Sequence, residues 1–183
     1  MRKVPSNKLH VIFDLPKENI SSTTIVLSFL DPEKEQKFIK QFKGRLFLGR
    51  LEINHVREKT RLFYIDLVAR IGATPCHGKT LRQYLDLPKI GNSWWYNPFT
   101  AKSCENDLMF NRLLQIFTII HLYEQEKKQS IVLHGGSHEV ANVLTGTYPL
   151  IKKGNLTHDQ PFFIRCLLSR IKSFLNTIQC HVV

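Results

Sequence analysis

The chain divides into short, nearly continuous apolar runs and longer segments with helical periodicity. The short apolar runs are residues 9–13, 23–30, 45–48 and 131–133. Runs of this length without polar alternation are typical of strands that are buried on both faces of a parallel sheet. We assign the longer run at residues 61–71 (RLFYIDLVARI) to a further strand, and the mostly polar residues 49–60 to a surface connection.

Helical signals stand between these runs. Residues 31–33 (DPE) combine a capping residue, a proline suited to the first turn and an acidic side chain, so we expect a helix from there to about Phe42. Residues 105–124 carry apolar side chains at helical spacing and predict the clearest helix of the chain. Shorter helices are predicted over residues 81–85 and 138–144.

The order of these elements predicts the fold class. Strands interleaved with helices favour an α/β domain in which helices cover a parallel or mixed sheet. The 183 residues, 43% of them apolar, are enough for one domain with a sizeable core. We predict this domain over residues 1–160, with a loop at 149–161. An amphipathic helix follows over residues 161–183.

The predicted C-terminal helix has three possible settings. Basic side chains interrupt its apolar stripe. It packs on the domain, packs on a continuation of the chain, or lies on an anionic membrane surface.

Asp66 is a charged residue inside the predicted strand of residues 61–71. A carboxylate in an apolar strand needs a partner, because burial of an unpaired charge is costly. Asp66 therefore either pairs with a basic residue of a neighbouring element or lines a cleft.

The sharpest local feature is the segment His134-Gly135-Gly136-Ser137, between a predicted strand and a predicted helix. Glycines after a strand let a ligand approach the backbone, and the free N–H groups of the next helix attract an anion. The segment matches neither the GxGxxG pattern nor a P-loop. Two interpretations stay open: a ligand site, or an ordinary strand-to-helix turn that Ser137 caps.

A second candidate feature is the aromatic segment Trp94-Trp95-Tyr96, which stands among glycine, asparagine, serine and proline residues. Aromatic side chains in loops can form platforms for sugar rings or bases. Alternatively, these side chains close the end of the sheet.

Residues 78–124 resemble part of a known family. The resemblance is carried, in order, by GKTLRQYL at residues 78–85, Ser93-Trp94-Trp95-Tyr96, Phe99, Lys102-Ser103, Asn106 and the long predicted helix. This arrangement resembles the N-terminal part of a bacterial surface-carbohydrate biosynthesis family. The double tryptophan is its specific part, and the resemblance covers less than half of the chain.

The resemblance implies a glycosyltransferase-like protein with two Rossmann-like domains and a cleft between them. It implies that the N-terminal domain binds the glycan acceptor and that the C-terminal domain binds most of the nucleotide-sugar. The chain has the length of the first domain only, so we expect an incomplete catalyst whose partner is a second glycosyltransferase domain. Its catalytic residues stay unassigned. The candidate substrate-binding residues are Trp94, Trp95, Tyr96, Lys102, Ser103, His134, Gly135, Gly136 and Ser137.

Net charge adds alternatives to this interpretation. The 26 basic and 15 acidic residues give a net charge of +11, which favours an anionic partner such as nucleic acid, acidic lipid or a phosphorylated substrate. The alternatives are a nucleic-acid-binding module without catalytic activity and a protein associated with a membrane surface. The sequence contains no zinc-finger, RNA-recognition or clear helix-turn-helix signature.

Cysteine and histidine spacing indicate no metal site. The four cysteines form no CxxC pair, and the eight histidines show no zinc-type spacing, so we predict no metal and no cofactor. The N-terminal residues lack the apolar core of a signal peptide, and no apolar run has the length of a membrane span. We therefore expect a cytoplasmic protein, with the inner face of the membrane as a peripheral location.

Overall fold

The computed structural model describes residues 7–84, 86–87, 91–92 and 108–154. Several predictions lie outside the described residues. These are the C-terminal helix over residues 161–183 and the site candidates Trp94, Trp95, Tyr96, Lys102 and Ser103.

Nine strands and five helices make up the described residues. The strands are β1 (Lys8–Ile12), β2 (Ile25–Ser28), β3 (Arg45–Leu48), β4 (Pro75–Cys76), β5 (Lys79–Thr80), β6 (Asp86–Leu87), β7 (Gly91–Asn92), β8 (Ser130–His134) and β9 (Leu150–Lys153). The helices are α1 (Pro32–Gln41), α2 (Gly49–Gly72), α3 (Leu81–Tyr84), α4 (Leu108–Gln125) and α5 (His138–Thr145).

A five-stranded sheet organises the domain, in the order β3-β2-β1-β8-β9, and all of its neighbouring strands are parallel. The chain builds outward from β1 to β3 and then returns to place β8 on the other side of β1. With helices on both faces of this sheet, the predicted Rossmann-like three-layer α/β fold is confirmed.

On one face of the sheet, the buried strand residues are all apolar. Alternate residues of neighbouring strands share a face because the side-chain period of a strand is two. The buried strand residues on this face are Leu9, Val11, Ile25, Leu27, Ile131 and Leu133. Side chains of α2, α4 and α5 cover them and complete the larger core cluster.

The opposite face carries a smaller apolar cluster. Ile12 and Val26 pack there against Phe38 of α1 and against Leu30. The irregular crossover of residues 13–24 joins the parallel strands β1 and β2 and adds Ile20 to this cluster. Among the described residues, one helix and a loop cover this face.

The predicted start of α1 is confirmed, with one correction. Pro32 begins the helix and Asp31 occupies the N-cap position with an extended backbone. However, the Asp31 side chain accepts no capping hydrogen bond. The start instead has the first helical backbone bond, from the Glu35 N–H to the Asp31 carbonyl at 2.8 Å.

The predicted strand over residues 61–71 and the predicted connection over residues 49–60 are both wrong, because α2 covers both segments. Its buried residues Val56, Thr60 and Tyr64 recur every four positions, as on one face of a helix. An eleven-residue apolar run is compatible with either a strand or a buried helix, and its length favours the helix.

The environment predicted for Asp66 is wrong for the same reason. Asp66 lies on the solvent side of α2, and its carboxylate forms an ion pair with Arg70 one turn later at 2.8 Å. The side chains of the two residues are 53% and 63% exposed, so neither charge is buried. Asp66 therefore pairs within its own helix rather than with a neighbouring element.

A second correction concerns the predicted loop at residues 149–161, whose first part contains the edge strand β9. Leu150 packs against the larger core cluster and β9 pairs with β8. With two lysines among four residues, this strand is too polar to stand out as a buried apolar run. No described helix is both long enough and apolar enough to cross a membrane.

Candidate functional site

The carboxyl ends of β1, β8 and β9 enclose a cleft of about 220 Å³. Its walls are residues 14–18 of the crossover, His134 and Gly135 at the end of β8, and Lys153 and Gly154 at the end of β9. The order of the sheet reverses between β1 and β8, so the cleft lies at the switch point. Open α/β sheets bind their ligands outside the carboxyl ends of strands at such a point.

The two glycines of the predicted segment are required for different structural reasons. Gly135 has a φ of 73° and donates its N–H to the Lys153 carbonyl at 3.0 Å, which joins the ends of β8 and β9. Gly136 has a φ of 94°, and a Cβ placed on it would lie 2.7 Å from the Phe13 ring. Both positions therefore require glycine, because a left-handed backbone is costly for other residues.

Ser137 caps α5, since its Oγ accepts a hydrogen bond from the Val140 N–H at 3.3 Å. Gly135 and His134 line the cleft, whereas Ser137 is buried behind it. Glu139 is also buried, and its carboxylate oxygens accept no hydrogen bond from any described residue. Its position in the first turn of α5 places it at the positive end of the helix dipole.

The most unusual contact of this region joins two histidines. His10 on β1 and His134 on β8 lie on the same face of neighbouring strands, with His10 Nδ1 3.0 Å from His134 Nε2. The ring centroids are 5.1 Å apart and the planes differ by 28°. One of the two nitrogens must carry a proton for this contact to be a hydrogen bond.

Burial and neighbouring cations keep both imidazoles neutral. Burial lowers the pKa of His10 to about 4, helped by the positive charges that His134, Lys153 and Lys8 can carry and opposed by Glu18. Burial also lowers the pKa of His134, again with Lys153 assisting and Glu18 opposing. The pair therefore binds no extra proton near neutral pH, although each ring retains nitrogen atoms that can donate or accept.

Two ion pairs border the cleft. Glu18 of the crossover contacts Lys153 at the end of β9, and this lysine lowers the pKa of the Glu18 carboxyl. Asp14 contacts Lys34 of α1 at 2.9 Å, and its hydrogen bond with this lysine lowers the pKa of the Asp14 carboxyl. The first half of the crossover is thus held at two positions by lysines from other elements.

These groups suit a polar or anionic ligand. The walls offer lysine side chains, imidazole nitrogens and carboxylates. Gly135 and Gly154, both with a positive φ, line part of the wall without a side chain. Among the described residues, no group of three or more histidine, cysteine, aspartate or glutamate side chains is arranged to hold a metal ion.

The structure brings together only part of the predicted set. Of the predicted residues, His134 and Gly135 line the cleft, while Gly136 and Ser137 shape the turn behind it. The sequence interpretation missed His10, Glu18 and Lys153. The sequence contained a signal for His10, because this polar residue interrupts the apolar run of β1. The partner of His10 could not be predicted, because it depends on the order of the strands in the sheet.

Comparisons with protein-family models, with curated proteins and with solved structures give no significant match to the chain.

Proposed function

We propose that the chain is the N-terminal, acceptor-binding type of domain of a glycosyltransferase-like protein of surface polysaccharide biosynthesis. In this proposal, the cleft between the ends of β1, β8 and β9 holds part of a glycan acceptor or nucleotide-sugar. The observation that carries it is the coincidence of the cleft with the switch point of a Rossmann-like sheet. The resemblance of residues 78–124 supplies the substrate class.

The wall chemistry supports binding of a sugar derivative. Hydroxyl groups both donate and accept hydrogen bonds, and His134 and Glu18 provide side chains that can meet them. Lys17 and Lys153 supply positive charge for a phosphate or carboxylate. A volume of about 220 Å³ accommodates one part of a ligand rather than a whole drug-sized molecule.

The proposal assigns binding to this domain and transfer to a complete two-domain assembly. No catalytic residue is assigned, because the family pattern gives none that can be placed on this sequence. The remaining ligand surface would come from a second glycosyltransferase domain across the cleft.

A nucleotide-sugar and glycan panel tests the location of the ligand. Calorimetric titration is run with nucleotide-sugars, lipid-linked glycans and a nucleic-acid oligomer, each at low and high salt. Leu15→Trp adds bulk to the cleft wall without removing charge, and Leu62→Trp places the same bulk on an exposed site of α2 outside the lining. We expect Leu15→Trp to weaken sugar-ligand binding by about tenfold or more, a loss of about 1.4 kcal/mol, and Leu62→Trp to leave it unchanged.

The other ligands and variants of this panel separate the alternative functions. Binding that is equal in the two tryptophan variants would place the ligand elsewhere. Binding of nucleic acid alone, with a steep loss at high salt, would favour the nucleic-acid-binding module. Trp94→Ala and Trp95→Ala test the aromatic platform separately, and sugar binding that survives both would remove these residues from the site.

A further inference from the structure

The contact between Glu18 and Lys153 is an exposed ion pair within the cleft itself. The Glu18 side chain is 69% exposed and that of Lys153 is 40% exposed. Ion pairs with this exposure contribute little to stability, so exchange of one partner costs little. Glu18 also belongs to an irregular crossover, whereas Lys153 is fixed on a strand of the sheet.

Lys153 and His134 form a composite wall. They are partners in the register between β8 and β9, so their side chains leave the sheet on the same face. His10 contacts His134 from the next strand at 3.0 Å and restrains its ring. The recess is therefore lined by a cation, a removable carboxylate and an imidazole that a second histidine contacts.

We propose that this recess is an oxyanion site, in which a phosphate or carboxylate group of the ligand displaces Glu18 from Lys153 and bonds to His134. The His10–His134 pair takes up one proton from solvent as the oxyanion binds. Glu18 then acts as a built-in competitor that occupies Lys153 in the free protein. The proposal rests on the proposed function only for the statement that a sugar derivative carries the oxyanion.

Charge balance gives the proposal a pH dependence with a defined sign. The groups that face the pair are Lys8, Lys153 and Glu18, and the cleft wall adds Lys17 and Asp14. A bound oxyanion favours the protonated pair, so the pKa of the pair is higher in the complex than in the free protein. Affinity therefore rises as the pH falls through the pKa of the complex, and levels off below the pKa of the free pair.

The direct probe is inorganic sulfate, which keeps its charge over the relevant range, whereas a phosphate monoester loses charge near about pH 6. Titration calorimetry between about pH 4 and pH 8 covers the range from the pKa of about 4 of His10 in the free protein to values above the ordinary pKa of histidine. Repetition in buffers of different ionisation enthalpy measures the protons taken up. We expect net uptake in the wild-type protein, and neither uptake nor pH dependence from the pair in the double variant that combines His10→Gln with His134→Gln.

Charge variants test the competitor. Glu18→Gln should bind sulfate about threefold to tenfold more tightly, and Lys153→Met should bind it at least about tenfold less tightly, in line with the strength of charge-assisted hydrogen bonds. Lys152→Met is the matched control, because Lys152 is the adjacent lysine of β9 and points to the opposite face of the sheet. It removes the same charge and should leave sulfate binding unchanged.

The outcomes are separable. Equal loss in Lys152→Met and Lys153→Met, or no tightening in Glu18→Gln, would overturn the oxyanion site and indicate attraction by net charge alone. Sugar phosphates, uronic acids and neutral glycans then identify the source of the oxyanion. Sulfate binding with the expected variants but no sugar ligand would reject the proposed function alone, while binding of neutral glycans without sulfate binding would reject the oxyanion site alone.

Discussion

The two faces of the five-stranded sheet differ in what covers them and in what they bury. On one face, α2, α4 and α5 cover buried strand residues that are all apolar. On the other face, α1 and the crossover of residues 13–24 cover a smaller apolar cluster, and His10 and His134 stand among its strand positions. The comparison indicates that stability is concentrated on the first face and ligand chemistry at one end of the second.

The difference follows from the connections between strands. A helix presents a continuous apolar stripe to a sheet, so the strand residues below it must be apolar. The loop that joins β1 and β2 presents polar backbone and mixed side chains instead, and its first part, Asp14 to Glu18, lines the cleft. Polar strand residues are tolerated there because they find partners, as His10 does with His134.

The largest expected effect is on the apolar face. Leu113 of α4 is fully buried in the larger core cluster, so Leu113→Ala should lower the free energy of unfolding by about 3 kcal/mol through lost burial and a residual cavity. Urea denaturation measures the change. Leu62→Ala, on the exposed side of α2, is the control and should cost less than about 0.5 kcal/mol. Equal losses would contradict the expectation that the buried residues of α4 contribute more to stability than the exposed side of α2.

A smaller effect is expected on the polar face, and it depends on pH. The pKa of His10 is lowered from 6.5 to about 4 by folding, so the unfolded chain binds more protons between these values. The stabilising contribution is complete above pH 6.5 and is lost as the pH falls to about 4. After allowance for partial exposure, His10→Gln should reduce the acid-induced loss in the free energy of unfolding by about 2 kcal/mol.

Urea denaturation of both proteins at several pH values measures that difference. The comparison of the two profiles cancels the contribution of the carboxylates, which titrate in both. Parallel profiles would mean that His10 has the same pKa in the folded and unfolded states, and the polar face would then carry no buried titrating pair.

The sequence predicted one side of this comparison better than the other. The apolar runs of β1, β2 and β8 were recognisable because strands buried on both faces lack polar alternation. The run of β3 was recognised as well, although its residues are only partly buried or exposed. The run at residues 61–71 misled because its apolar residues serve a helix, and the polar strand β9 left no apolar signal. Local periodicity does not distinguish these cases without the tertiary partners.

The candidate site was predictable only in part. The two glycines of the turn after β8 are required by the local backbone conformation, so they could be recognised in the sequence. The contacts of His10 with His134 and of Glu18 with Lys153 join residues more than 120 positions apart. They depend on the return of β8 to the side of β1, which is a property of topology rather than of any local motif.

The smallest effect is expected on the outer surface of α2. A strand at residues 61–71 would bury Asp66, and removal of its carboxylate would then cost several kcal/mol by leaving a buried partner charge unpaired. In the helix, Asp66 and Arg70 form an exposed pair one turn apart, so Asp66→Ala should change the free energy of unfolding by less than about 0.5 kcal/mol. Urea denaturation at low and high salt measures it, with Asp66→Asn as the size-matched control. A loss of several kcal/mol in both variants would contradict the helix, because an exposed ion pair cannot supply that much stability.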